Sequence, residues 1–283
     1  MTAYFLITSY GRTGTMWLAT TLAKIEKVAV SHGPLPIPLS EQEINKPTLA
    51  DQHAYLSKLP HTTLDEYLRT VAEAKPQATC VGNIHAFTAA SLLARRKMPS
   101  QFPITIVNVT RHPITRIDSF AKHWAREIKS SPAYHSNANR LFWNSAIAQA
   151  IRQREKSLPH NPTAEQVLFL RSVFEVLSND RVEVLLAPGE NVPMERLTHD
   201  VEALRWLVQK ISGGDLSCDD GIYEQAILAQ PINRSERTPL SSKKTWNAWG
   251  DWQRRAFLTT ADILGLNLKM YDAFKYDLSF AMC

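Results

Sequence analysis

The chain has 283 residues, 44% of them apolar and 21% charged, with a net charge of +5. That length suits one α/β domain with insertions, and the apolar share fills a sizeable core. The mild, diffuse charge excludes a nucleic-acid arm and fits a small polyanionic ligand, and three scattered cysteines (Cys80, Cys218, Cys283) exclude a disulfide framework.

Taken in chain order, Tyr4-Phe5-Leu6-Ile7-Thr8 reads as a short buried strand and Trp17 to Ile25 as the opening turns of a helix. Between them lies Ser9-Tyr10-Gly11-Arg12-Thr13-Gly14-Thr15-Met16-Trp17. A strand, a glycine turn and a helix start gather backbone N–H groups around one small volume, and the helix dipole makes it favour phosphate or sulfate. Gly14 allows close approach of the backbone to an anion, Arg12 supplies a fixed positive charge, and Thr13 and Thr15 supply hydroxyl donors. A nucleotide triphosphate loop would place lysine after the second glycine, whereas Thr15 follows Gly14.

Lys27 to Val30 reads as a second strand, and residues 33 to 60, with five prolines, as loop or lid structure. Leu64 to Ala74 reads as a helix and Ala78 to Ile84 as another buried strand. His85 follows that strand at the end where parallel strands deliver side chains to a ligand crevice. The β-branched run Ile104 to Thr110 reads as a strand, and Pro113 suits the first turn of a helix after it. Arg111 and Ser119 lie eight residues apart across this junction. Val167, Leu170, Phe174 and Leu177 recur at helical spacing, Arg181 to Leu186 alternates like a strand, and Leu197, Val201, Leu204, Val208 and Ile211 define a helix stopped by Gly213-Gly214. Near the carboxyl end stands Lys243-Lys244-Thr245-Trp246-Asn247-Ala248-Trp249-Gly250-Asp251-Trp252, with Phe257 shortly after.

Three of these segments together resemble the sulfotransferases that use 3′-phosphoadenosine 5′-phosphosulfate (PAPS). The first loop is similar to PKSGTxW or PRSGTxW, with Gly11 where proline is usual and Thr13 where serine is usual. The resemblance implies that Arg12, Thr13, Gly14, Thr15, Met16 and Trp17 hold the phosphosulfate end, with the tryptophan packed on adenine. Arg111 to Ser119 is similar to R-x-P-x-x-x-x-x-S and implies a 3′-phosphate site. Lys243 to Trp252 resembles RKGxxGDW, although no glycine follows the lysine pair, and it implies that Lys243 and Lys244 approach the same phosphate.

In cytosolic members the catalytic histidine occupies the place of His85, which implies a general base there; Asn83 stands where those members usually carry a lysine. His32, after the second strand, is the main rival base. Arg12 and the loop amides would neutralise charge on the leaving group. The implied fold is α/β, three-layered, with a central mostly parallel sheet and helices on both faces in the P-loop-like sulfotransferase architecture. A single domain over 1–283 is implied, with insertions near 33–75 and 128–160. Tyr134, Phe142 and Trp143 would border the acceptor, a small molecule bearing a hydroxyl or amine, and the product of the donor would be PAP. The remaining histidines show no metal-ligand spacing, so no metal is expected. Neither a nucleic-acid nor a membrane partner is expected, and a soluble cytoplasmic protein is the default. Two rival readings stay open: an ATP-dependent small-molecule kinase and a non-catalytic nucleotide-binding protein.

Overall fold

The strands are β1 (Ala3–Thr8), β2 (Val28–His32), β3 (Cys80–Ile84), β4 (Ile104–Thr110) and β5 (Glu190–Pro193), with β-branched and aromatic residues dominating β1 and β4. They were located in a computed structural model, which describes all residues except 1, 10, 12, 41–48, 89–90, 93–99, 131, 157, 159–161, 186–189, 217–219, 229–240 and 283. Between and after the strands run helices α1 (Thr15–Ala23), α2 (Leu49–Lys58), α3 (Leu64–Ala74), α4 (Pro113–Ser130), α5 (Pro132–Trp143), α6 (Ala146–Arg154) and α7 (Ala164–Leu185). The series continues with α8 (Met194–Leu197), α9 (Val201–Ser212), α10 (Asp220–Leu228), α11 (Ser242–Ala248) and α12 (Asp251–Ile263). The chain divides into two compact units, residues 1–110 with 185–233 and residues 111–184 with 234–283. Among the described residues no helix is long and apolar enough to cross a membrane.

The first unit holds an all-parallel sheet in the order β2-β3-β1-β4-β5 with helices around it. Strand alternation sorts its side chains to two faces. Phe5 and Ile7 of β1, Val28 and Val30 of β2, and Val107 and Val109 of β4 pack with Trp17, Leu18 and Leu22 of α1, Leu204, Leu207 and Ile211 of α9, and Tyr223 of α10. Leu6, Ala29 and Val81 face the other way, against Tyr67, Leu68 and Val71 of α3. Burying several such side chains at about 1.5–3 kcal/mol each is what holds the helices on the sheet. Toward the carboxyl ends the α3 face turns polar: Ser31 pairs in register with Asn83, and Thr8 pairs with Asn108, to which its hydroxyl donates.

Local signals account for most element ends. Thr63 caps α3 by accepting from the Glu66 amide at 3.1 Å, and Gly213, at φ 68°, ends α9. Two expectations change. The segment 181–186 was expected as a strand, but α7 runs on through Leu185. The alternation of Val182 and Val184 is overridden because Val173, Val176, Leu177, Asp180 and Glu183 bury one helical face, whose two acids disguise the stripe; Leu186 lies outside the described residues. The expected single helix from Leu197 to Ile211 is divided, because the Asp200 carboxylate caps α9 by accepting from the Glu202 amide at 2.9 Å. The proline-rich stretch 33–60 contains α2, and the stretch 128–160 contains α5 and α6.

The second unit carries a buried ionic group that the sequence did not announce. Arg116 on α4 is fully buried and pairs with Asp180 of α7 at 2.5 Å, and the Tyr271 hydroxyl donates to the other Asp180 oxygen at 2.6 Å. Glu183, one turn along α7 and 1% exposed, has no hydrogen-bond partner on either carboxylate oxygen. Burial pushes its carboxyl up to about 8, against a smaller opposing pull from Arg116, and the Asp180 charge raises it further. Its place beside the ion pair is therefore held by a neutral acid.

Candidate functional site

The carboxyl ends of β1, β2 and β3 bring together most of the chemistry that the sequence pointed to in the first unit. After β1 the chain passes through Ser9 and Thr13, both buried, whose hydroxyls hydrogen-bond each other across the turn. Gly14 then serves as N-cap of α1 in the left-handed region at φ 84°, with no side-chain cap. A first helical turn leaves its leading N–H groups without intrahelical partners, and here no cap side chain takes them up. Thr15, largely buried, begins that turn. Backbone N–H groups at such a helix start can receive an anion.

Gly14 is constrained twice. An L-residue is disfavoured at its φ, and a Cβ there would lie 2.6 Å from the Met194 Cε at the start of α8. The thioether end can move, so the backbone penalty dominates. Replacing Gly14 by alanine is expected to cost about 1–3 kcal/mol of stability. Urea midpoints of the two proteins check this, and coincident curves would contradict the strain.

His85 sits at the foot of β3 with φ 78°, itself in the left-handed region. Two contacts hold it there: its amide donates to the Ile7 carbonyl at 3.1 Å, and its Nδ1 lies 2.8 Å from the Ser9 carbonyl oxygen. A carbonyl only accepts, so the Nδ1 carries the proton and Nε2 is the lone-pair nitrogen in the neutral ring. An imidazole held in one tautomer beside an anion cradle can receive a proton from a nucleophile.

His32, at the foot of β2, stacks on His85 with ring centroids 5.8 Å apart and its Nε2 3.1 Å from the Thr15 Oγ1. Burial first and the neighbouring His85 second push its pKa down to about 4, so His32 is neutral at physiological pH.

Asn83 explains the departure from the lysine expected two residues before His85. It is 1% exposed, and its Nδ2 lies within 2.9–3.3 Å of the Ser31 carbonyl and hydroxyl, the Gly33 carbonyl and the Tyr67 hydroxyl. Its Oδ1 accepts from the Ala86 amide at 2.8 Å. One side chain thus grips the residues on both sides of His32 and the residue after His85. A lysine could supply neither acceptor nor fit. Tyr67 completes the clamp by reaching the Gly33 and Leu35 carbonyls at 3.0 and 2.9 Å. Sequence reading missed this network, because an asparagine in a strand and a tyrosine on a helix carry no pattern that links them.

The other expected residues divide as follows. Arg12 and Tyr10 lie outside the described residues. Met16 is half-buried on α1. Trp17 is 3% exposed within the core, and its Nε1 donates to the Ala226 carbonyl of α10 at 3.0 Å. That placement packs the ring into the protein and is at odds with the adenine-stacking role the resemblance gives it. In the second unit Arg111 is half-buried ahead of α4, and Ser119 lies on α4, 9% exposed. His112 turns away into the unit, with its Nε2 3.3 Å from the Asp277 carbonyl. Lys243 and Lys244 are exposed on α11. Beside them Trp246 and Trp249 belong to an aromatic cluster with Phe257 and Phe169, so much of that segment's similarity is packing. Phe142 packs on Phe174 and Trp143 lies under the Arg152 guanidinium, while the side chains of Tyr134 and His135 are outside the described set. Among the described residues no cluster of three His, Cys, Asp or Glu side chains could hold a metal ion.

No protein-family model matches the chain, and no curated protein sequence matches it. Solved structures similar to it include a sulfotransferase from Alicyclobacillus acidocaldarius, 13% identical over 100% of this chain and 99% of that one, with a TM-score of 0.42. Another is the sulfotransferase domain from the curacin biosynthetic pathway, 12% identical over 94% of this chain and 98% of that one, with a TM-score of 0.41. A third is mouse sulfotransferase SULT7A1 complexed with PAP, 10% identical over 99% of this chain and 88% of that one, also at 0.41. Scores at this level decide neither the family nor the reaction, which leaves both to the residues themselves.

Proposed function

We propose that the chain is a PAPS-dependent sulfotransferase, one catalytic domain over 1–283, acting on a hydroxyl or amine of a small molecule. The observation that carries this reading is the His85 imidazole, fixed by the Ser9 carbonyl with its lone-pair nitrogen on Nε2, at the edge of an uncapped, left-handed glycine cradle. A doubly ionised terminal group suits such a cradle, because the Gly14 backbone has no Cβ to hold it off. When bound, PAPS supplies the activated sulfuryl group. The loop amides and Thr15 would bind its phosphosulfate end, together with Arg12 and Thr13 as the sequence resemblance implies. His85 would take the acceptor proton as the new S–O or S–N bond forms and the phosphate oxygen leaves. Arg111 and Ser119 are assigned the 3′-phosphate on the sequence similarity, with Lys243 and Lys244 as lesser contacts. Trp17 is omitted from the donor contacts, since its ring is buried.

Calorimetric titration with PAP tests the donor, and a screen of acceptors with labelled PAPS then tests the reaction. Arg111→Ala should weaken PAP about tenfold or more, as expected for a lost charge-assisted contact, while leaving adenosine 5′-phosphosulfate within about twofold. Equal weakening of both would refute the assignment of Arg111. Turnover that requires magnesium and ATP would replace this reading by a kinase.

A further inference from the structure

Resting on that reading, we infer that His32 is a positioning residue for the donor: its Nε2–H orients the Thr15 hydroxyl so that the Thr15 proton points into the anion cradle. The geometry leaves two ways to satisfy the 3.1 Å contact between His32 Nε2 and Thr15 Oγ1. If His32 accepted, the Thr15 hydroxyl would spend its only proton on the ring and turn oxygen lone pairs toward an arriving anion. If His32 donates, the hydroxyl keeps its proton for the ligand. Only the second arrangement suits a doubly negative group at the start of α1.

Three further features agree. Burial and the adjacent His85 keep His32 uncharged, so the ring enters the chain of donors as a neutral tautomer and adds no full charge beside the base. The Asn83 side chain fixes the carbonyls of Ser31 and Gly33 on either side of His32, and its Oδ1 fixes Ala86 beyond His85. Stacking at 5.8 Å then sets one ring by the other. The asparagine that replaces the expected lysine therefore has a task of its own, holding two imidazoles in register, one aimed at the acceptor and one at the donor loop.

Two measurements test this. In the wild-type protein, nitrogen NMR of the imidazoles should show His32 neutral from pH 5 to 8 with its proton on Nε2. PAP titrations should then show His32→Ala and Thr15→Val each weakening affinity about five- to tenfold, as for the loss of one hydrogen bond to a charged group. The double variant should be no worse than either single one, since both break the same chain. His32→Gln, which can present an N–H at the same reach, should restore most of the affinity. A proton on Nδ1, additive losses in the double variant, or a glutamine variant as weak as alanine would overturn the assignment alone. No PAP binding by the wild-type protein would overturn the sulfotransferase reading and this assignment with it, a result the imidazole spectra keep distinct.

Discussion

Replacing His85 by alanine is expected to lower turnover by about 10²–10⁴-fold, the range of a positioned general base, while PAP binding survives within about threefold. The expectation follows from atoms already placed. The Ser9 carbonyl holds Nδ1–H, so Nε2 is the lone-pair nitrogen of the neutral ring. His32 has its Nε2 engaged with Thr15 and is too weak a base, at about 4, to hold a proton near neutrality. Turnover should be followed with labelled PAPS and whichever acceptor the screen identifies. Retained turnover would transfer the base role elsewhere. Loss of PAP binding together with turnover would mean that the ring is structural.

A stability effect of similar size is expected in the second unit. Arg116→Met removes the cation facing Asp180, and leaving a buried charge uncompensated costs about 3–5 kcal/mol. The loss should depend on pH in a definite direction. Burial already raises the Asp180 carboxyl, and without Arg116 it rises further, so the folded variant needs Asp180 protonated. Near pH 4 the unfolded chain is protonated too and the variant loses little; as pH climbs, the unfolded chain ionises, the folded one resists, and stability drains away. Glu183 supplies the matching control. Its folded value near 8 lies above its ordinary 4.5, so the wild type is favoured below the lower value. Between the two values it loses about 1.4 kcal/mol for each pH unit relative to Glu183→Gln. Denaturant midpoints at pH 5 and 8 check both claims, and parallel behaviour of wild type and variants would sink them.

What could be read in advance divides along physical lines. Strand β4 was legible because its β-branched run is a local signal, and strand β3 and helix α3 lie where their short apolar segments placed them, since packing contradicted none of the three. The glycine turn after β1 and the place of His85 directly after β3 were legible because each depends on a short spacing from its own strand end. The continuation of α7 was hidden because Asp180 and Glu183 fill apolar-face positions with carboxyls, and only Arg116 and Tyr271, 64 and 91 residues from Asp180, account for Asp180. Strand β5, with Val192 as its buried apolar residue between Asn191 and Pro193, offers no period to read. The Asn83 clamp belongs with these, since its partners at Ser31 and Tyr67 come from other elements.

The indole of Trp17 has a bearing on kinetics as well as on architecture. Sunk among aliphatic neighbours and tethered to the Ala226 carbonyl, it bolts the opening turn of α1 to α10. On the proposed reading, a helix start secured in this way would hold its amides aimed before the donor arrives, and the speed of capture at that turn would follow diffusion and charge.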